Sequence, residues 1–385
     1  MGSGGNEGRS NKALLLSALL TAFFLLAAQA QAAPTHARNE ALDVTGLNHA
    51  CGVATDSKGD LYASSAGDSK VKVYNPSHVL LTEISDANTP CGLAVTTTGT
   101  LYVSERSTGE VVRFKPNAYP FSGTPTYGPR EVINSSTKAK GIAVDPTDNR
   151  LYVAAGDHIA VYKSDGTFEA NLGEGKLSEA TGVAPYTYSN GTVTDRYLWV
   201  ADAAGLAADK LLLFAALSTE ISALALRREL NGASTPDGSI GFGSAGAYLA
   251  ADPGNRSGEK CVSVSSQACS AGHLFLYDSA HKALDEFDAS GEYLDRTAFA
   301  GFAGAEPTQV AVDRSGEATD GTLYVTAGSG SGAKALAFGP LKQPSRKTLK
   351  KPSEEAGGLS QELKNARAVA TDSHGNVYAA TPSEI

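Results

Sequence analysis

The chain has 385 residues, of which 42% are hydrophobic and 19% charged, with a formal net charge of −9 and 41 glycines. A chain of this length can bury one large core or two ordinary ones, and its apolar content excludes global disorder. The glycines show no period of three, which excludes collagen, and no heptad pattern persists, which excludes a coiled coil. An acidic chain lacks the basic surface that grips nucleic acid, so we expect no nucleic-acid partner.

The start of the chain has the three parts of a secretory signal. Arg9 and Lys12 precede an apolar run at 13–28, and a small-residue stretch follows at 28–33. A positive start, an apolar middle and an A-x-A end are typical of a cleaved export signal. We therefore predict a signal peptide at 1–32 and a secreted or cell-surface protein, with a retained membrane anchor as the alternative. No later segment has the length and apolar content of a membrane span.

One pattern recurs through the rest of the chain. It consists of Gly, an aliphatic residue, Ala, Val or Thr, Asp, a polar turn, and then Leu-Tyr-Val-Ala; the copy at 140–154 reads KGIAVDPTDNRLYVA. Aligned on the Gly position, seven copies start at positions 52, 92, 141, 182, 248, 309 and 368. The shorter spacings match a four-stranded propeller blade of about 40–50 residues, and insertions explain the longer ones.

Each copy predicts one blade of a propeller. The Gly-Val-Ala-Val segment is short and aliphatic, as in a strand buried on both faces, and a turn separates it from Leu-Tyr-Val-Ala. A third strand follows, for example at 71–74, and then a weaker fourth, for example at 80–84. We predict an all-β propeller at 48–385 with six four-stranded blades. Seven blades are the alternative, because the seventh copy stops after its second strand and the last repeat looks truncated.

The segment at 33–47 precedes the first copy. It contains Leu-Asp-Val-Thr at 42–45, which reads as a short strand. We expect it to serve as the outer strand that closes the ring, since the last blade lacks one of its own.

The recurring Gly-Ile-Ala-Val-Asp, Leu-Tyr-Val-Ala and Val-Tyr segments resemble the NHL-repeat class of β-propellers. The resemblance covers nearly all of residues 45–380. It extends in architecture to the strictosidine synthase and regucalcin-like gluconolactonase groups, and it implies the propeller fold. The scaffold hosts many functions, so it implies no single activity. The family's Ala-Asp-x-x-Asn-x-Arg stretch is largely lost, with remnants at 104–106 and 201–203.

The position before each Gly is expected to face one mouth of the central tunnel. We take four residues there as candidates for ligand binding: Lys140, Thr181, Thr308 and Arg367. The two cations would attract an anion.

The Asp that ends the inner strand recurs from blade to blade. A catalytic carboxylate is needed once or twice, whereas a turn cap is needed in every blade, so we expect these residues to cap turns. They are Asp56, Asp145, Asp252, Asp313 and Asp372.

Four cysteines in an exported chain favour disulfides over metal sites. Cys261 and Cys269 lie in a polar, loop-like segment, where we predict a local disulfide. Cys51 and Cys91 occupy the same position of the repeat in adjacent blades. The expected distance between their Cα atoms is near the limit of about 7 Å that a disulfide allows. A disulfide and two free buried thiols are both open for this pair, and a metal site that includes His49 is a third interpretation.

The sequence contains no converging catalytic set, such as a Gly-x-Ser-x-Gly elbow, a phosphate loop or His-Glu-x-x-His. We therefore expect a propeller that binds an extracellular protein, glycan or cell-wall ligand without catalysis and without a cofactor. One alternative is a metal-dependent lactonase-like or lyase-like enzyme, for which the resemblance implies Ca or Zn held by Glu, Asn and Asp. No residues match those three positions. Another alternative is a structural segment of a longer repeat protein.

Overall fold

Six short aliphatic strands contact one another in cyclic order around a central axis in the computed structural model of this protein. The last of them contacts the first, so the ring is closed. These inner strands are β2 (Ala50–Thr55), β6 (Pro90–Val95), β10 (Ile142–Val144), β14 (Ala180–Ser189), β18 (Leu249–Ala251) and β22 (Val310–Val312).

The structure describes residues 36–85, 88–135, 138–189, 194–203, 209–216, 220–242, 249–252, 272–298, 309–339, 368–371 and 377–380. The chain divides into two compact units, Met1–Leu341 and Lys342–Ile385. The ring belongs to the first unit. In the second unit, the described residues form an antiparallel hairpin of β25 (Ala368–Thr371) and β26 (Val377–Ala380), which is the seventh sequence copy. The predicted signal peptide at 1–32 lies outside the described residues.

Each of the six blades is a four-stranded antiparallel sheet, and in the first five the strands follow one another outward in chain order. In blades one to five the second, third and fourth strands are, in this order, β3 (Leu61–Ser65), β4 (Lys70–Tyr74), β5 (Leu80–Ser85), β7 (Leu101–Glu105), β8 (Val111–Phe114), β9 (Glu131–Asn134), β11 (Leu151–Ala154), β12 (Ile159–Tyr162), β13 (Phe168–Leu172), β15 (Thr194–Asp202), β16 (Lys210–Ala216), β17 (Ala225–Leu230), β19 (Leu274–Asp278), β20 (Ala283–Phe287) and β21 (Tyr293–Ala298). The predicted all-β fold of six four-stranded blades is confirmed.

The sixth blade takes its outer strand from the other end of the propeller. It continues with β23 (Leu323–Ala327) and β24 (Ala333–Phe338). The fourth strand is β1 (Val44–Leu47), which pairs antiparallel with β24. The first described strand therefore completes the last blade, and no seventh blade is needed to close the ring.

Helical structure among the described residues consists of 3-10 turns at Glu40–Leu42, Ala66–Asp68, Ile221–Ala223 and Gly330–Gly332. Within the same residues, no helix has the length and hydropathy needed to cross a membrane.

The core lies between neighbouring blades. One position of every second strand carries a large aromatic side chain that is at most 1% exposed: Tyr62, Tyr102, Tyr152, Trp199, Phe275 and Tyr324. A buried aromatic side chain removes about 150–250 Å² from water, so each blade contributes a comparable share of the hydrophobic stabilisation. The recurrence of this position explains how a low aromatic content suffices for six blades.

The inner strands end in turns that side chains cap. Asp56 Oδ1 accepts hydrogen bonds from the backbone N–H groups of Lys58 (2.8 Å) and Asp60 (3.0 Å). Asp145 and Asp313 accept one each in the third and sixth blades. The prediction of turn capping is therefore confirmed for these three residues. The predicted cap Asp372 lies outside the described residues.

Backbones approach one another closely where the inner strands begin. A Cβ atom on Gly52 would collide with the carbonyl oxygen of Cys91, and one on Gly141 would lie 2.6 Å from the carbonyl oxygen of Thr181. Both contacts are between neighbouring blades, so glycine is required at these two positions for the inner strands to pack this closely around the axis.

We expect Gly52→Ala to destabilise the propeller by about 3 kcal/mol, because the added methyl group overlaps backbone that cannot move without opening the ring. Gly123→Ala is the matched control, since a Cβ atom there meets nothing within 4 Å. Its effect should stay within about 0.5 kcal/mol. Urea unfolding of the two variants measures the difference, and equal stabilities would contradict the crowding of the axis.

Candidate functional site

The central tunnel is surrounded by six unpaired strand edges, because every inner strand has a sheet neighbour on one side only. A cavity of about 160 Å³ lies there, lined by all six inner strands. Its wall includes an alanine from the same position of every inner strand: Ala54, Ala94, Ala143, Ala184, Ala250 and Ala311. Small side chains leave this space open, and unpaired strand edges supply polar backbone groups to it.

Gln309 bridges the tunnel near the starts of the inner strands. Its Oε1 accepts hydrogen bonds from the N–H groups of Val53 (3.3 Å) and Leu93 (2.7 Å), and its Nε2 donates to the Leu93 carbonyl (2.6 Å). One amide from the sixth blade therefore ties together the inner edges of the first and second blades. The cavity extends from this bridge toward the ends of the inner strands, which we call the strand-end mouth.

Arg314 lies at the strand-end mouth. It lines the cavity, and its Nη2 donates to the carbonyl oxygen of Ala251 in the fifth blade (2.5 Å). Within the residues that the structure describes, this guanidinium forms no ion pair. Burial lowers the pKa of Arg314, while the charges of Asp252 and Asp145 act in the opposite direction from beyond pairing distance. Arginine remains protonated in proteins, so the cavity contains a cation.

Asp56 and Ser57 line the same mouth from the first blade. The second carboxylate oxygen of Asp56 accepts from the Tyr62 hydroxyl (3.3 Å), which lies 3.0 Å from the hydroxyl of Tyr127. The Ser57 hydroxyl lies 2.9 Å from that of Tyr119. Two tyrosines from the long loop of the second blade are thereby fixed beside a buried carboxyl of the first.

Asp56 and Asp60 form a buried pair of carboxyl groups. Burial raises the pKa of Asp56, although the turn N–H groups and tyrosine hydroxyls lower it in part. The side chain of Asp60 is 7% exposed, and its pKa is raised to about 7, first by burial and then by the charge of Asp56. A carboxyl group with a pKa near 7 can give or take a proton at neutral pH.

The other mouth, where the inner strands begin, contains a disulfide. Cys51 and Cys91 are bonded, with 4.8 Å between their Cα atoms, which confirms the disulfide interpretation over free thiols. His49 lies beside them in the same depression, but its Nδ1 is 2.9 Å from Oδ1 of Asn48. The metal interpretation of this group was wrong, since both sulfur atoms are used by the disulfide.

Two of the predicted mouth residues can be located. Lys140 Nζ forms an ion pair with Glu179 (2.6 Å), which offsets its charge. Thr181 is buried, and its hydroxyl donates to the carbonyl of Ala201 (3.3 Å). Whether these two residues bind a ligand stays a prediction. Thr308 and Arg367, like the predicted disulfide partners Cys261 and Cys269, lie outside the described residues.

The described residues do not fit the Ca or Zn site of the lactonase-like alternative. In the ranges given above, no three His, Cys, Asp or Glu side chains are grouped as metal ligands. The carboxylate of Asp56, the nearest candidate, is engaged by turn N–H groups and by Tyr62. We therefore derive no chemical step that passes through a metal ion.

Sequence reasoning overlooked Arg314 because it treated the turns as equivalent. The residue that follows the Asp position of the repeat is uncharged in the other copies: Ser57, Thr97, Pro146, Thr187, Pro253 and Ser373. In the sixth copy alone it is an arginine. This single departure from the repeat was the available signal.

Comparison with known proteins gives the fold independent support. No protein-family model and no curated protein matches the chain. Solved structures do. A candidate gluconolactonase shares 13% identity, with 79% of this chain and 92% of that chain covered and a TM-score of 0.51. A luciferin-regenerating enzyme shares 14% identity, covering 80% of this chain and 96% of its own, with a TM-score of 0.50. A gluconolactonase from Xanthomonas campestris shares 16% identity over 80% and 95%, with a TM-score of 0.48.

These similarities contradict the expected non-catalytic scaffold and the expectation that the protein is not an enzyme. The two structures above with TM-scores of at least 0.50 are those of a candidate gluconolactonase and a luciferin-regenerating enzyme, which agrees better with the lactonase-like alternative. At 13–14% identity they share the fold and do not specify a reaction. The expectation failed for a physical reason as well. It considered the strand starts, whereas Arg314 and Asp56, a carboxyl group with a raised pKa, line one cavity at the strand ends.

The disulfide predicts how the cysteines react. In denatured, unreduced protein, iodoacetamide should leave Cys51 and Cys91 unlabelled, and both should become labelled after reduction. Replacing both by serine should cost about 2–4 kcal/mol of unfolding free energy, because the bond no longer constrains the unfolded chain. Peptide mass spectrometry and urea unfolding measure the two effects. Labelling of Cys51 without reductant would contradict the bond.

Proposed function

We propose that this protein is an enzyme, a hydrolase or lyase that acts on a small molecule held at the strand-end mouth. The observation that carries the proposal is that one cavity is lined both by Arg314, a cation without an ion pair in the described structure, and by Asp56, a carboxyl with a raised pKa. Perturbed carboxyl groups beside a cationic group in a concave site are typical of acid–base catalysis.

The two charged groups have separate roles in this proposal. Arg314 stabilises the negative charge that develops on a substrate oxygen, and its position between blades means that it needs no rearrangement to do so. Asp56 exchanges a proton with the substrate or with water at the mouth, and its charge contributes to the raised pKa of the neighbouring Asp60. No metal ion enters these roles.

The substrate class to test first is a lactone or a related ester. Support comes from the fold, since a candidate gluconolactonase reaches a TM-score of 0.51 with this chain. The small cavity also favours a small substrate. Ring opening of a lactone needs an oxyanion stabiliser and a proton-transfer group, which are the two roles assigned above.

We also propose that the protein acts outside the cytosol. The N-terminal 32 residues have the composition of an export signal, and the disulfide between Cys51 and Cys91 is of a kind that persists in oxidising compartments. A secreted or surface-attached hydrolase would meet its substrate there.

Activity against a panel of five- and six-membered lactones and matched esters tests the proposed function. We expect Arg314→Gln and Asp56→Asn each to lower kcat/KM by about 100-fold, the usual scale for the loss of one oxyanion or proton-transfer group. Arg228→Gln, which removes an arginine paired with Glu292 on an outer strand, should stay within about twofold of wild type. Wild-type activity retained by both cavity variants would reject the proposed site.

The raised pKa of Asp60 predicts a pH dependence of stability. Folding shifts this pKa from 3.8 to about 7, so the protonated form is favoured in the folded state. The resulting stabilisation is complete below pH 3.8 and is lost as the pH rises through 7. Asp60→Asn should remove this loss, so that between pH 5 and pH 8 wild type falls by about 1–2 kcal/mol relative to the variant, after discounting for solvent screening.

Urea unfolding at several pH values makes this comparison. Asp157→Asn is the control, because that side chain is exposed and its pKa is lowered instead, by a hydrogen bond with His158. It should leave the slope of stability against pH nearly unchanged. A slope for Asp60→Asn equal to that of wild type would show that Asp60 does not titrate in this range.

A further inference from the structure

The geometry points to a carboxylate as the group that Arg314 holds. We propose that the cavity binds a small monocarboxylate, with its carboxylate on the guanidinium of Arg314 and its uncharged body against the ring of alanines. This inference names the substrate or product class of the site and rests on the proposed function only for the chemistry that follows binding.

The hydrogen bonds of Arg314 leave room for such a ligand. A guanidinium has five N–H donors in a planar fork. One bond, from Nη2 to the carbonyl of Ala251, is formed, and in the described structure no carboxylate pairs with the remaining donors. One edge of the fork is therefore available, and that edge matches the two oxygens of a carboxylate. Arg314 is partly buried and has no counterion in the described structure, so an anion in the cavity is favoured.

The surrounding charges favour a single negative charge over two. Asp252 and Asp145 act on the guanidinium from beyond pairing distance, and Asp145 is itself paired with Arg196 (2.9 Å). Arg314 is a single cation on which Asp252 acts, Asp56 lines the same cavity, and the whole chain carries a net charge of −9, so a dianion would meet more repulsion than a carboxylate.

The wall and the volume limit the rest of the ligand. The cavity of about 160 Å³ has room for on the order of ten water-sized groups. Its sides are the alanine ring and aliphatic residues such as Leu93 and Ile142. Gln309 bridges the far end, and its amide is already engaged with Val53 and Leu93. The ligand therefore enters from the strand-end mouth and presents an uncharged body of about ten heavy atoms or fewer.

Calorimetric titration of the intact protein tests the ligand class. The probes are butyrate and benzoate, the matched neutral amides butyramide and benzamide, and inorganic phosphate. We expect each carboxylate to bind at least tenfold more tightly than its amide and than phosphate. We also expect the affinity for each carboxylate to fall as the salt concentration rises. Equal binding of acid and amide, or tighter binding of phosphate, would overturn the proposal.

Variants and chemical labelling test the role of Arg314. Arg314→Gln should weaken benzoate binding at least tenfold, Arg314→Lys should weaken it less, and Arg228→Gln should leave it unchanged. In wild type, benzoate should protect Arg314 but not Arg228 from phenylglyoxal, as read by peptide mass spectrometry. This labelling needs no variant, so it decides the matter even where Arg314→Gln fails to fold. Unprotected Arg314 at saturating benzoate would reject the assignment.

The two proposals fail in different ways. Protection of Arg314 by benzoate without turnover of any lactone or ester would support the carboxylate site and reject the enzyme. The opposite result is turnover of neutral lactones that butyrate and benzoate do not inhibit, together with no protection of Arg314 from phenylglyoxal. That result would support the enzyme and reject the carboxylate site.

Discussion

The close approach of six strands to one axis is the constraint on which the rest of this structure depends. Where the inner strands begin, backbones of neighbouring blades touch, so Gly52 and Gly141 have no room for a side chain. The same proximity brings Cys51 within disulfide distance of Cys91 and lets Gln309 reach across to two other blades. Crowding thus closes one end of the tunnel with covalent and hydrogen bonds.

The other end of the tunnel is open for the same reason. Each inner strand presents an alanine to the axis, and the strands then separate into turns that differ in sequence from blade to blade. Variation is tolerated in turns because they do not form the ring. A charged residue such as Arg314 can therefore occupy one turn without disturbing the other five, and the site we propose lies where the repeat is least constrained.

The repeat predicted the four strands of each blade and the capping role of Asp56, Asp145 and Asp313, because these follow from contacts within a single copy. The number of blades came from the count of copies and kept seven as an alternative to six. The repeat left the Cys51–Cys91 bond undecided, since that bond depends on the exact distance between two blades. The site escaped prediction altogether. Arg314 acquires its role from Ala251 of the fifth blade and the charge of Asp145 in the third, and only the closed ring brings those residues near.

Because β1 pairs with β24, the sixth blade cannot be completed until the end of the ring has been synthesised. Among the described strands β1 is made first, and it has no partner until β24 and nearly the whole ring have been made; such distant pairing is slow to form. Until then the edge of β1 that will pair with β24 is unpaired. A protease or a chaperone that recognises unpaired strands would therefore find the nascent chain accessible throughout its synthesis and the mature ring suddenly resistant.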